Sequence, residues 1–125
     1  RVASMYDVIG RQVMTLYQIR DLVATAYVEL INGTKTELLA AGGAGVFHDL
    51  VQISFANTSS VAQTITLLDE STTVKTVPIP ATTGIVNLTF PVPIRQSAAN
   101  AAWYVDLPDD VNSTVYIDAV FIKNV

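Results

Sequence analysis

Cysteine is absent from this chain. Disulfides, thiolate metal sites and a cysteine nucleophile are therefore excluded. Histidine is nearly absent: His48 stands alone, so the several His or Cys ligands of a zinc site are missing. Charge is scarce too. Charged residues make up 14% of the chain, against roughly 25% in ordinary soluble proteins. Such a domain either solvates itself with neutral polar groups or has part of its surface covered by another chain. The basic residues Arg1, Arg11, Arg20, Lys35, Lys75, Arg95 and Lys123 stand singly, and no basic run marks a nucleic-acid partner. Hydrophobic runs fall far short of the roughly 18 residues of a membrane span, and no signal peptide is visible. No nucleic-acid, membrane or cofactor partner is expected.

What the sequence has in quantity is alternation. Half of its 125 residues are apolar, enough for one domain with its own core. In the stretch 46–69, Val51, Ile53 and Phe55 alternate with Gln52, Ser54 and Ala56; after Asn57-Thr58-Ser59-Ser60, Ile65 and Leu67 alternate with Thr64 and Thr66. A period of two predicts half-buried strands, and the polar cluster between them predicts a β-hairpin of 46–56 with 61–68. Asn32-Gly33 between 22–31 and 35–41 predicts a second hairpin, because both residues tolerate positive φ.

Further strands are expected at 73–79, 85–90, 101–107 and 114–123. Pro78 and Pro80 place the first of these at an edge. Pro91-Val92-Pro93 is expected to stop the second. Trp103, Val105 and Leu107 should face inward, as should Val115, Ile117, Ala119 and Phe121. Turns are expected at 69–72, 81–84 and 108–113. Eight to nine strands with no strong helix predict an all-β fold, an antiparallel β-sandwich of jelly-roll or Greek-key type. Residues 21–125 form this sandwich domain. Residues 1–20 are an N-terminal arm or a first strand, with 12–19 patterned as a strand. The apolar Met5, Tyr6 and Ile9 would let an arm dock on a neighbour.

Catalytic constellations are poor. Asp49 adjoins His48, but neighbours on a strand point to opposite faces, so Asp49 cannot orient His48 as a triad would require. The acidic pairs Asp69-Glu70 and Asp109-Asp110 fall in turns, where Asp is favoured for local hydrogen bonds. Calcium would need several oxygens converging from different loops, and a glycosidase pair would need carboxylates from separate strands, with Asp49, Asp106 and Asp118 as candidates. Gly42-Gly43-Ala44-Gly45 lacks the Lys-Ser/Thr and helix of a phosphate loop. Asn-x-Ser/Thr triplets at Asn32, Asn57, Asn87 and Asn112 are read as turn chemistry rather than glycosylation. Trp103 shares parity with core positions, whereas Tyr104 and Tyr116 share parity with Asp106 and Asp118 and are the candidates for an exposed, sugar-stacking surface.

The run Gly45-Val46-Phe47-His48-Asp49-Leu50-Val51, then Asn57-Thr58-Ser59 and Thr64-Ile65-Thr66-Leu67-Leu68-Asp69, resembles small virion proteins of tailed phages and prophages. Val77-Pro78-Ile79-Pro80-Ala81, Phe90-Pro91-Val92-Pro93, Ala101-Ala102-Trp103 and the closing 115–121 continue the likeness, which covers about residues 42–125. It is one of rhythm rather than of a diagnostic motif, and no functional residues carry over. The resemblance implies a non-enzymatic β-sandwich, commonly a homotrimer, located in the virion: a capsid decoration (cement) protein, head-fibre base or tail-associated module. Its partner would be the major capsid protein or another virion protein. A carbohydrate-binding module, or adhesin for a host glycan, is the alternative.

Overall fold

The computed structural model describes residues 5–6, 12–13, 22–82, 84–108 and 114–124. Its strands are β1 (Met5–Tyr6), β2 (Gln12–Val13), β3 (Val23–Leu30), β4 (Thr36–Leu39), β5 (Phe47–Asn57), β6 (Gln63–Asp69), β7 (Thr72–Ile79), β8 (Gly84–Ile94), β9 (Trp103–Asp106) and β10 (Val115–Asn124). β1 and β2 make a small antiparallel ladder of their own. The other strands form two four-stranded sheets, ordered β3-β10-β5-β8 and β4-β9-β6-β7, with every neighbouring pair antiparallel.

The pairing is nested. β6 pairs with β7, β5 with β8, β4 with β9 and β3 with β10. One long hairpin is thus rolled up so that successive strands change sheet, which is the arrangement of a jelly roll. The all-β sandwich expected from the alternation is present.

Two pairings differ from expectation. The runs on either side of residues 57–60 are strands, but β5 and β6 lie in different sheets and form no hairpin. Asn57 is the corner post. It is fully buried, donates from Nδ2 to Val61 O at 2.9 Å and Pro80 O at 3.1 Å, and accepts from Ser59 N at 3.0 Å. Its side chain satisfies backbone groups that a hairpin ladder would otherwise have paired. Asn32-Gly33 likewise joins strands of different sheets, with Asn32 Oδ1 accepting from Thr34 N in a local turn. The one hairpin within a sandwich sheet is β6–β7, turning at Glu70 (φ 55°) and Ser71. Glu70 is held there by Ala102, its N donating to Ala102 O and its Oε1 accepting from Ala102 N, both at 2.9 Å.

Two local patterns are also corrected. The ladder of β5 with β10 shifts register, pairing Gln52 with Val120 but Leu50 with Phe121. Val51 is the extra residue of this bulge, so Leu50, not Val51, continues the inward row of Ile53 and Phe55. Pro91 and Pro93 do not stop β8, which runs on to Ile94. β8 ends its sheet, where a residue without an N–H costs no ladder bond. β7 is the edge strand that Pro78 suggested.

The core lies between the sheets. Trp103, Phe55, Phe121, Leu50, Ile53, Ile65, Ile117, Val105 and Val115 are fully buried, and the Trp103 and Phe121 rings meet at 5.7 Å in a tilted contact. The inward parities expected for β9 and β10 hold: Leu107 and Ala119 are buried with the rest.

Candidate interaction surface

The outer face of the β3-β10-β5-β8 sheet is built in rows by the strand register. One row runs Glu29, Tyr116, Ala56, Ile85 across all four strands; the next runs Tyr27, Asp118, Ser54, Asn87; a third runs Thr25, Val120, Gln52, Thr89. Tyr27 stacks on Tyr116 at 6.5 Å with an interplanar angle of 21°. Tyr27 is 58% and Ile85 71% exposed. An apolar stripe of Tyr27, Tyr116, Ala56 and Ile85 therefore crosses this face from edge to edge, with Glu29 and Asp118 beside it. Next to it lies a neutral polar patch. Gln52 Nε2 donates to Ser54 Oγ and Asn87 Oδ1, and Ser54 Oγ donates to Asn87 Oδ1 at 2.8 Å. These groups bond one another, and keep those bonds when the face is covered.

The two expected surface tyrosines do not meet. Tyr104 lies in β9 and Tyr116 in β10, on opposite sheets, so their shared outward parity points them away from each other. Lys35 Nζ caps the Tyr104 ring at 4.4 Å from its centroid. Lys35 thus covers one face of the Tyr104 ring, while Tyr116 is paired with Tyr27. Met5 and Tyr6 form β1 and pair with Val13 and Gln12. Ile9 lies outside the described residues, as do Asp109, Asp110 and Asn112 of the 108–113 turn.

At one end of the sandwich a second feature gathers the buried polar groups. Gln96 ties three segments together: its Oε1 accepts from His48 N at 2.8 Å, its N donates to Asp49 Oδ1 at 2.9 Å, and its Nε2 donates to Ala101 O at 2.7 Å. Asp49 Oδ2 takes the Asn124 amide. Asp69 Oδ2 accepts from both N and Oγ of Ser97 at 2.8 Å. Trp103 Nε1 donates to His48 O at 2.8 Å. An open cleft of about 640 Å³ adjoins this network, lined by Phe47, Asp49, Arg95, Gln96, Ser97 and Asn124.

The network ties strand ends and loops together. Asp49 has both oxygens engaged and makes no bond to His48, as the strand geometry required. The His48 ring is buried near Phe121, with Cε1 close to where a side chain on Gly42 would begin. Neither ring nitrogen has a hydrogen-bond partner. Burial first, and then Lys123, hold its imidazole below the ordinary histidine value, against the opposing pull of Asp49. Among the described residues no group of His, Cys, Asp or Glu could hold a metal ion.

Sequence reasoning missed Tyr27, Ile85 and Gln96. Tyr27 had a readable signal, since Thr25, Tyr27 and Glu29 share one parity. Ile85 stands out only once Ala56 and Tyr116 are known to flank it. Nothing local marks Gln96, whose partners His48 and Asp49 lie far along the chain.

No family model matches this chain, and no curated protein matches it. Among solved structures, the chain is similar to the cryo-EM structure of giant freshwater prawn Macrobrachium rosenbergii extra small virus (XSV) VLP. That similarity has 10% identity and a TM-score of 0.40, and covers 100% of this chain and 94% of the other. The nested strand order, rather than this likeness, identifies the fold as a jelly-roll sandwich.

Proposed function

We propose that the chain is a non-enzymatic structural protein of a virus particle, of the tailed-phage kind that residues 42–125 resemble. It decorates the head shell and binds the major capsid protein or a neighbouring virion protein. One observation carries this reading: the apolar stripe Tyr27, Tyr116, Ala56, Ile85 across an outer sheet face, with Glu29 and Asp118 beside it. A contiguous exposed apolar patch on a small domain marks a protein-binding surface. The low charge density suits the same role, because few charges need desolvating when the face is covered. Jelly rolls serve in viral shells and in lectins alike, so the fold by itself does not choose between them. The capped Tyr104 and the stacked Tyr116 argue against a glycan platform. The carboxylate of Asp49, with both oxygens engaged, argues against its serving in an acid–base pair.

Cryo-electron microscopy of particles from the phage that encodes the chain tests this. Ordered density for the chain is expected on the outside of the head. Ile85→Glu combined with Tyr116→Glu should remove that density while the isolated protein stays folded. Density confined to a tail tip would overturn the decoration role, and binding on a glycan array that Tyr116→Ala abolishes would favour the lectin reading.

A further inference from the structure

Each open sheet edge is a row of unpaired N–H and C=O groups, and proteins guard such edges against pairing with other chains. Three of the four edges of the two sandwich sheets are guarded. β4 has four residues. β7 carries Pro78, and its Lys75 reaches over the Phe90 ring. β8 carries Pro91 and Pro93 and breaks register with β5 between Leu50 and Gln52. β3 has none of these devices. Its eight residues, Val-Ala-Thr-Ala-Tyr-Val-Glu-Leu, contain no proline and no basic residue. They pair with β10 from Val23–Ile122 to Leu30–Val115 without a register shift. Among the described residues nothing pairs with the other side of β3.

We propose that the free edge of β3 pairs antiparallel with β3 of a second copy, around a two-fold axis at Tyr27, joining two four-stranded sheets into one of eight strands. The strand's own side chains select this occupant and this register. Residues directly opposite in an antiparallel pair share a face, so outward Thr25, Tyr27 and Glu29 must meet outward residues. A two-fold at Glu29 would set carboxylate against carboxylate. A two-fold at Ala26 would set Glu29 against Val23. The two-fold at Tyr27 places Tyr27 opposite Tyr27 of the second copy and Glu29 opposite Thr25, whose hydroxyl can donate to the carboxylate. On the inward side it sets Ala26 against Val28 and Ala24 against Leu30, all apolar and facing the core. The only charge on the strand thus meets a hydroxyl twice, and the aromatic stripe runs on through the axis. Main-chain bonds supply the attachment and the alternate side chains the register, as in other strand additions. This contact shares Tyr27 with the proposed shell-binding stripe, but it is made along the strand edge and needs neither Ile85 nor a capsid. It also sets a two-fold where the resemblance implies a trimer.

Sedimentation of the full chain across a concentration series from about 1 μM to about 1 mM, the range of a modest interface, tests the proposal. A reversible monomer–dimer equilibrium is expected. Tyr27→Lys puts like charges face to face at the axis and should weaken the dimer at least about tenfold. Thr25→Glu, opposite Glu29, should do the same. Thr25→Lys at the same exposed position should leave the dimer within about threefold of wild type or tighten it, and so controls for damage to the strand. Unchanged circular dichroism identifies folded variants. A wild type that stays monomeric, or that sediments as a trimer, overturns the proposal. So does a dimer indifferent to Tyr27→Lys and Thr25→Glu, or one weakened equally by both Thr25 variants. A dimer that persists in the Tyr27→Lys variant but disappears on removing residues 1–21 assigns the contact to the N-terminal segment instead, and overturns it as well.

Discussion

At the residue scale, the informative side chain is His48, because its burial is chemical as well as spatial. An imidazole with neither nitrogen bonded is tolerable in the core only while neutral. Its folded-state pKa lies below the ordinary histidine value of 6.5, which the unfolded chain retains. As pH falls through 6.5 the unfolded state takes up the proton first, so this group's contribution to stability is complete at higher pH and is lost on acidification. Urea unfolding measured from about pH 8 down to about pH 5.5 should show stability falling by up to about 1.4 kcal/mol per pH unit from this one group. His48→Leu, whatever its absolute stability, should lose that slope between pH 7 and pH 6. An equal slope in the variant would place the titration elsewhere. That Asp49 does not bond the His48 ring was legible from the sequence, since adjacent strand residues cannot face each other. The burial of His48 was not, because it depends on the bulge at Val51, which shifts His48 onto the inward parity of Leu50. No neighbour of Val51 announces that bulge.

At the element scale, strands were legible and their partners were not. Alternation reports which face of a strand is wet, and it did so for β6, β9, β10 and the part of β5 beyond its bulge. It cannot report which strand lies alongside. Asn57-Thr58-Ser59-Ser60 and Asn32-Gly33 are turn-forming residues, and a corner between two sheets needs such residues as much as a hairpin does. The difference lies in where the turn's polar groups find partners. Asn57 reaches across to Val61 and Pro80 carbonyls, a contact 23 residues distant in the second case and invisible to a local pattern. The same limitation explains the surface: Tyr104 and Tyr116 had the right parity, but the nested topology put them on opposite sheets. Asn57→Ala should cost about 2–3 kcal/mol in unfolding free energy, because it removes the three hydrogen bonds of a fully buried side chain. Asn32→Ala, which removes one exposed turn bond, should cost under about 1 kcal/mol. Chemical denaturation of the two variants side by side checks this, and equal losses would refute the role of Asn57 as a corner post.

At the scale of the whole molecule, the sandwich is closed by its two ends. β10, the last strand, is hydrogen-bonded on one side to β3 and on the other to β5. Removing it would strip both neighbours at once and leave the outward stripe without Tyr116. Deletion of residues 115–125 should therefore abolish cooperative unfolding altogether rather than lower its midpoint, as followed by circular dichroism and Trp103 fluorescence. A truncated chain that still unfolds in one sharp transition would show that the remaining strands form a sheet on their own. The fold class was legible at this scale from spacing and strand number alone. The nesting, which decides what the surface looks like, arises from contacts between residues far apart in the chain.

The position of β10 also sets an order in time. A ribosome making this chain at roughly 5–20 residues per second finishes β3 and β5 several seconds before the strand that belongs between them exists. Until β10 emerges, β3 and β5 are both exposed without the strand that lies between them, and must be kept from pairing wrongly. The first sheet assembles only once β10 has cleared the ribosome. A chain cut short before β10 would carry neither the finished stripe nor a finished sheet, so this strand is the timing element of the fold.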